Sequence, residues 1–255
     1  MASFAVSNAR SEGSLPQRLL KGDAMTNELF ILDQFPKGER EGARTDFMTS
    51  EGATFHDPPN CKTCGSGISN LIWAPPYHAE MDQWGERYGD LALSGSPQCI
   101  LVSERFRDLY ENSGMIGLSG FYPVTIDRLV RRNKKCKGKP PTYLKADVAR
   151  SRVGVDDARS GCVWTKDSTI CPECLFPMKG IIKRWTGTIL LPGQVPAEDV
   201  FVPRGGGAGI MVSTRFKAFC EEHAISNAWF FPAELYAKDF YPWETAGVGS
   251  ASPEG

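Results

Sequence analysis

The sequence is poor in histidine, in net charge and in long apolar runs. Three histidines in 255 residues leave little material for a histidine-rich metal site or a histidine-based catalytic triad. The formal net charge of −1 excludes an overall basic coat for nucleic acid, although it leaves a local basic patch open. No stretch reaches the roughly 18 consecutive apolar residues that a membrane-spanning helix needs. We therefore expect a protein that does not span a membrane.

The two ends of the chain have the composition of unstructured segments. Residues 1–24 are rich in Ser, Ala and Gly and have no apolar core of the length that a signal peptide needs. We predict a disordered extension over 1–24, with Met25 as an alternative start, and a flexible tail over 241–255. These features favour a cytoplasmic location.

Eight cysteines stand out in this chain, and four of them form two Cys-x-x-Cys motifs. One motif is Cys61 with Cys64, followed by Gly65, and the other is Cys171 with Cys174. A Cys-x-x-Cys turn directs two thiolates at one centre, and two such turns supply the four soft ligands of a structural zinc. We predict one zinc shared by all four cysteines, across a gap far longer than that of an ordinary zinc ribbon.

Other interpretations of the cysteines stay open at this stage. The turns could be two separate half-sites, or relics packed without metal, or redox motifs, although no thioredoxin-like unit surrounds them. Cys162 is a reserve ligand, and His56 is a candidate stand-in ligand or partner of a ligand. Cys99 and Cys220 have apolar neighbours and are predicted to be core residues.

An internal repeat accounts for the long gap between the motifs. The segments 99–110 and 209–220 match at an offset of 110 residues, which is also the offset between the two Cys-x-x-Cys motifs. Five identical positions carry the match, namely Ile100, Val102, Ser103, Arg105 and Phe106 with Ile210, Val212, Ser213, Arg215 and Phe216. We interpret the chain as a duplication.

Each copy predicts the same order of elements. A Cys-x-x-Cys turn precedes a buried strand, a helix whose N-cap is Ser103 or Ser213, and a closing strand near Phe121 or Phe230 that we place beside the first strand. The predicted fold is α+β with two related halves, each a Cys-x-x-Cys turn plus a small sheet and one packed helix. The halves span 25–127 and 161–240, and a basic linker over 128–160 joins them.

The two motifs and the repeated Val-Ser-x-Arg-Phe step resemble the myxobacterial double-CXXCG-motif immunity proteins. The resemblance covers roughly residues 29–236, and the second motif departs from the pattern because Leu175 stands where the family has Gly. It implies a non-catalytic, cytoplasmic antidote that binds and neutralises a cognate polymorphic toxin. The family's cysteines carry over as Cys61, Cys64, Cys171 and Cys174, and no catalytic residue carries over.

Two alternative functions compete with this interpretation. From Arg128 to Arg152 there are ten Lys or Arg and one acid, so a zinc-containing nucleic-acid-binding protein is the main alternative. An enzyme with a cysteine thiolate is the other, although no nucleophile has a base at motif spacing. Six aromatic residues are candidate anchors for a protein partner or, more simply, core residues: Trp73, Tyr77, Trp84, Tyr88, Trp185 and Trp243.

Overall fold

Strands make up most of the regular structure. The computed structural model describes residues 28–33, 42–69, 71–94, 99–165, 169–176, 181–206 and 209–241. Within them lie two α-helices, α1 (Glu104–Ser113) and α2 (Thr214–Glu222), and a short 3-10 helix (Ala233–Leu235). The strands are β1 (Leu29–Asp33), β2 (Thr45–Thr49), β3 (Phe55–His56), β4 (Ile72–Trp73), β5 (His78–Gln83), β6 (Leu91–Ala92), β7 (Cys99–Ser103), β8 (Leu118–Pro123), β9 (Thr125–Arg131), β10 (Tyr143–Gly154), β11 (Val163–Trp164), β12 (Ile182–Trp185), β13 (Val200–Arg204), β14 (Ile210–Ser213), β15 (Trp229–Pro232) and β16 (Lys238–Asp239).

The fold is therefore mixed α and β, as predicted, with strands predominating. The predicted extension over 1–24 and the tail beyond residue 241 lie outside the described residues. Among the described residues, no helix is both long enough and apolar enough to cross a membrane.

The largest sheet consists of two groups of four strands. Its order is β15-β1-β14-β13-β10-β7-β6, and β8 pairs with β10 off this path. One group is β8-β10-β7-β6 and the other is β15-β1-β14-β13, and a parallel pairing of β10 with β13 joins them. All other pairings in this sheet are antiparallel.

The two groups share the same register around their central strands, β7 and β14. The central strands carry Val102 and Val212, respectively. Each valine is paired with an apolar residue on both neighbouring strands. These flanking residues are Leu91 and Leu144 beside Val102, and Val200 and Phe30 beside Val212. These valines and their neighbours belong to one buried core, so the matching register keeps equivalent side chains on the buried face.

This pairing corrects our placement of the closing strands. We predicted that the strands near Phe121 and Phe230 lie directly beside the first strand of their own half. Instead β10 separates β8 from β7, and β1 separates β15 from β14. Local hydrophobic patterning identifies a strand but not its neighbour, because pairing partners are far apart in sequence.

Strand pairing crosses the boundaries of the predicted segments. The predicted linker over 128–160 contains β10, which pairs with β7, β8 and β13 in the large sheet. The first predicted half contains β1, yet within the described ranges β1 pairs only with β14 and β15 of the second half. Thus β1, at the start of the first half, completes the group β15-β1-β14-β13. In turn β10, which follows the first half, completes the group β8-β10-β7-β6.

Both helices begin as the sequence predicts. The Ser103 hydroxyl accepts a hydrogen bond from the Phe106 N–H at 3.1 Å, and Ser213 does the same for Phe216 at 3.1 Å. These are N-caps, which satisfy a backbone donor that has no partner inside the helix. Helix α1 ends at Gly114, whose φ of 65° is the left-handed conformation expected of a C-terminal glycine.

The helices pack against each other through aromatic side chains. Phe106 of α1 contacts Phe216 and Phe219 of α2, with ring centroids 6.3 and 6.0 Å apart. Tyr110 adds a second contact with Phe216 at 6.5 Å. Phe106 and Phe216 are completely buried, so the face that each helix buries is shared with the other helix as well as with the sheet.

An aspartate binds the start of each helix, and an arginine beside it links that helix to the end of the other one, a feature that the sequence analysis missed. Asp90 accepts from the Ser103 hydroxyl and the Arg105 guanidinium, both at 2.9 Å. Asp199 accepts in the same way from Ser213 at 2.8 Å and from Arg215 at 3.1 Å. Each arginine also donates to a carbonyl at the end of the other helix, His223 for Arg105 and Ser113 for Arg215.

Three of the ten basic residues in the predicted basic segment pair with acids on or just after a strand of a second, three-stranded sheet. That sheet has the order β2-β5-β9, with β9 carrying the start of the basic segment. Three ion pairs join the basic segment to acids on β5 or just after it: Arg128 with Glu80, Arg132 with Asp82, and Lys135 with Glu86. These pairs are exposed and stabilise the fold little, but they reduce the local positive charge.

Candidate metal centre

Each Cys-x-x-Cys motif lies between the two strands of a short antiparallel ribbon. Cys61 and Cys64 lie between β3 and β4, which pair with each other. Cys171 and Cys174 lie between β11 and β12, which also pair, and β16 extends this second ribbon to three strands. Each pair of strands therefore flanks the segment that carries one cysteine turn.

The two turns have the same backbone hydrogen bonds. The N–H of Gly65 donates to the Cys61 carbonyl at 2.8 Å, and the N–H of Leu175 donates to the Cys171 carbonyl at 2.9 Å. The Cys61 N–H then donates to Ser66 at 2.8 Å, and the Cys171 N–H donates to Phe176 at 3.1 Å. Both motifs therefore fold the backbone under their sulfurs in one manner.

Leu175 adopts the conformation that favours glycine. Its φ is 57°, close to the 73° of Gly65, so the departure from Gly at this position does not change the turn. The left-handed conformation costs a leucine roughly 1–2 kcal/mol. Its side chain packs beside Gly154 and Gly205, where an added Cβ would lie 2.1 Å from the Leu175 Cδ1 atom and 2.8 Å from its Cβ atom, respectively. The two glycines thus provide the space that Leu175 occupies.

All four thiols converge on one point. The Sγ atoms of Cys61 and Cys171 are 3.9 Å apart, and those of Cys64 and Cys174 are 3.7 Å apart. All four sulfurs lie within 4.8 Å of one another. Four thiolates arranged tetrahedrally about a zinc at about 2.3 Å have sulfurs about 3.8 Å apart. The cluster therefore has the dimensions and the ligands of a tetrahedral metal site, and two separate half-sites do not describe it.

The cluster is protected from solvent on most sides. Cys61, Cys171 and Cys174 are buried, Cys64 is partly buried, and Ile68 packs against the group. In zinc proteins, a set of four protein ligands leaves no position for substrate, which is the arrangement of structural sites.

Hydrogen bonds prepare the thiols of the first motif for the thiolate form. The side chain and backbone of Ser66 bond to Cys64 and lower the pKa of its thiol to about 6. The backbone N–H groups of Cys64 and Thr63 lower the pKa of Cys61. Burial instead raises the pKa of Cys174 to about 12. A metal must therefore displace a proton from Cys174 at neutral pH, because only thiolates bind it.

Two arginines from the large sheet support the turns. Arg150 of β10 donates to the Ile68 carbonyl beyond the first motif. Arg204 of β13 donates to the Glu173 carbonyl inside the second motif at 2.7 Å. Since β10 and β13 pair directly, this central junction positions both turns at once. The sequence analysis missed both residues, because neither lies within a motif or matches the other at the repeat offset.

The remaining cysteines lie away from the cluster. Cys99 and Cys220 are core residues, as predicted, and burial raises the pKa of both thiols. Cys162 packs in another core cluster, where burial and then Asp157 raise its pKa to about 12. It is not part of the four-cysteine group. His56 is exposed on β3 and is not part of that group either.

The predicted aromatic anchors divide between the core and the surface. Trp73 and Trp185 are buried, each at 4% exposure. Trp84 is 42% exposed, and the guanidinium groups of Arg44 and Arg132 lie over its ring at 5.7 and 5.3 Å. Trp243 lies outside the described residues. The buried pair thus supports the ribbons and does not offer a contact surface.

Comparison with known proteins does not place the chain in a family. No protein-family model matches the sequence, and no curated protein matches it. The function must therefore be inferred from the geometry and from the residues themselves.

Proposed function

We propose that this chain is a cytoplasmic, non-catalytic immunity protein that binds a cognate toxin and neutralises it. The observation that carries the proposal is the convergence of two Cys-x-x-Cys turns, 110 residues apart, on a single four-thiol cluster. The order of motifs supplies the resemblance to the double-CXXCG immunity proteins. A closed cluster with four protein ligands supports a rigid binding scaffold better than it supports an enzyme.

We propose zinc as the ion that the cluster holds. Four thiolates are soft ligands that select zinc over hard cations such as magnesium or calcium. A redox role for the motifs fits less well, because reactive Cys-x-x-Cys pairs normally begin a helix. The two helices of the described chain begin after Ser103 and Ser213, so neither motif occupies such a position. The zinc would link the two ribbons and fix their relative positions.

We also propose that an internal duplication produced the two halves. Support comes from four repeated features at equivalent positions: the Cys-x-x-Cys turn, the serine N-cap, the aspartate that binds it, and the register of the central strand. The leading strands β1 and β10 are then equivalent. β1 pairs with β14, which follows β10 in sequence, and β10 pairs with β7, which follows β1. Such a reciprocal exchange makes each half incomplete without the other.

Co-expression tests the proposed function. A toxin encoded immediately upstream is expressed with and without this chain in a sensitive host, and growth is measured together with recovery of a complex. The proposal predicts restored growth and a stoichiometric complex with unmodified toxin. Toxicity that persists despite soluble, folded chain, with no complex recovered, would contradict it.

Part of the basic segment that motivates the nucleic-acid alternative is ion-paired within the fold. Three of the basic residues between 128 and 139 are already ion-paired with acids of the same sheet surface. Binding to phosphates would have to displace those carboxylates, which lowers the gain from each contact. A gel-shift assay at low salt with single- and double-stranded DNA and with RNA distinguishes the alternatives, and we expect no salt-dependent shift.

A further inference from the structure

An open groove lies beside the ribbon that carries the first Cys-x-x-Cys motif. It has a volume of about 600 Å³ and runs between β2, the β3–β4 ribbon and β10. Phe47 and Trp73 stack in its wall with ring centroids 6.2 Å apart, and both are buried core residues. Among the described residues, the buried indole N–H of Trp73 has no hydrogen-bond acceptor. The groove therefore has an aromatic, apolar wall.

Its rim is made of large apolar side chains that face solvent. Met48 is 61% exposed, Leu71 is 53%, Phe55 is 41% and Ile72 is 37%. Scattered apolar residues are normal on a surface, but four around one groove form a patch of the kind that marks an interaction site. The side chains come from β2, β3, β4 and the residue before β4, so the fold assembles the patch from separate elements.

The polar end of the groove carries a net positive charge. Lys145 is buried, and its ammonium group pairs with Asp147 at 2.5 Å, so these two charges cancel. Arg150 also lines the groove, is exposed, and donates to the Ile68 carbonyl. Among the described residues, no carboxylate pairs with Arg150. An acidic group on an occupant would complement this charge.

The shape of the groove favours a protein over a small molecule. Small-molecule sites bury about 70–90% of their ligand, which requires walls on most sides. Here the apolar rim projects into solvent, as in the flat patches of protein interfaces where apolar anchors are surrounded by polar residues. We infer that this groove is the docking site for the toxin, and that it takes an apolar side chain of the toxin flanked by an acidic residue. This inference rests on the proposed function and names the contact surface for it.

The first cysteine turn would then shape this surface directly. β3 and β4 flank the turn, and they carry Phe55 and Ile72 of the rim. Arg150 connects the segment after the turn to the polar end of the groove through the Ile68 carbonyl. Fixing the turn therefore fixes both the apolar rim and the position of the charge.

Surface variants test the site with the upstream-encoded toxin as the probe. Met48→Asp and Leu71→Asp alter exposed side chains and should leave the Tm near that of the wild type. We expect each to weaken toxin binding by about 30-fold or more, the effect of a central anchor residue. Met48→Lys should weaken binding less than Met48→Asp, because an acidic toxin group tolerates a cation better. Leu235→Asp, at a residue that is 70% exposed and does not line the groove, is the matched control and should bind like the wild type.

Oxidation of Met48 by hydrogen peroxide identifies the occupant. We expect fast sulfoxide formation at Met48 in the free chain and protection in the toxin complex. Protection in the free chain at every concentration would mean that a segment of the chain itself fills the groove. Protection that grows with chain concentration would mean that a second copy does. Either result overturns the inference.

Binding by the wild type separates this inference from the proposed function. If the wild type and both Asp variants bind the toxin equally, the groove is not the docking site, while the proposed function stands. If the wild type does not bind the toxin, the proposed function fails and this inference fails with it.

Discussion

Removing one thiol or the metal should lower the free energy of unfolding. The size of the loss depends on the number of residues between the two motifs. Cys61 and Cys171 are 110 residues apart, and a shared ion closes the chain between them. The chain-entropy relation for a cross-link of this length gives about 4.8 kcal/mol at 25 °C. In chains of this size, 1 kcal/mol changes the Tm by roughly 2–4 °C. Cys171→Ser and chelation should therefore each lower the Tm by about 10–20 °C.

Thermal unfolding followed by circular dichroism measures this effect. The matched control is Cys162→Ser, since Cys162 is partly buried, lies outside the cluster, and bonds to Asp157 in a way that a serine can preserve. Chelation should lower the Tm of wild type and of Cys162→Ser equally, and should have little further effect on Cys171→Ser. The cross-link reasoning is refuted if chelated wild type and Cys171→Ser both melt like untreated wild type.

Three further predictions concern the supports of the cluster and the helices. Gly205→Ala should destabilise the fold by about 2–3 kcal/mol, because φ is 70° and the new Cβ would lie 2.7 Å from the Leu175 carbonyl oxygen. Gly65→Ala has a similar φ of 73° but open space, so urea unfolding should show a loss of only about 1 kcal/mol; equal losses would contradict the packing argument. Ser103→Ala should cost about 1–2 kcal/mol, because it removes both the N-cap bond from Phe106 and the hydrogen bond that the hydroxyl donates to Asp90, and an unchanged urea midpoint would count against both. Burial opposes ionisation of Asp90, but hydrogen bonds from Ser226 and Ser103 and the charge of Arg105 outweigh it and lower its pKa. Its contribution to stability should be present above about pH 4 and lost as the pH falls through that lowered pKa, and Asp90→Asn should flatten this dependence in pH-resolved melts.

Local sequence patterns predicted the elements that depend on local interactions. The strand that becomes β7 and the helix after Ser103 follow from an apolar run, an N-cap residue and a helical spacing of Phe106 and Tyr110. The four-cysteine set also followed from spacing, because each Cys-x-x-Cys turn is a local structure. In the fold the sulfur atoms of the two motifs lie close together, as predicted. The zinc itself stays a prediction.

Long-range pairing could not be predicted from the same patterns. In the sequence, β1 is an apolar segment and β10 lies in a basic one. No local pattern indicates that β1 pairs with β14 or that β10 pairs with β7. The basic segment read as a solvated linker because its charges were counted without the acids on β5 that pair with them. Lys145 illustrates the difficulty, since a lysine within a strand becomes buried only because Asp147 and the ring of Tyr77 receive its charge.

The second cysteine turn shows how context overrides a residue preference. Leu175 is an unfavourable residue for a left-handed position, and the family that the sequence resembles has Gly there. In the fold, the space beside Gly154 and Gly205 accommodates its side chain, and the turn keeps the hydrogen bonds of the first one. These glycines are 21 residues before and 30 residues after Leu175, too far away for a motif search to associate them with the turn.

The most direct test of the shared site is zinc analysis combined with X-ray absorption at the zinc edge on protein purified without added metal. The account predicts one zinc per chain, bound by four sulfurs at about 2.3 Å, with the stoichiometry reduced in Cys64→Ser and in Cys174→Ser alike. Two zinc ions per chain, or a mixed shell with fewer than four sulfurs, or metal content unaffected by either substitution, would contradict it.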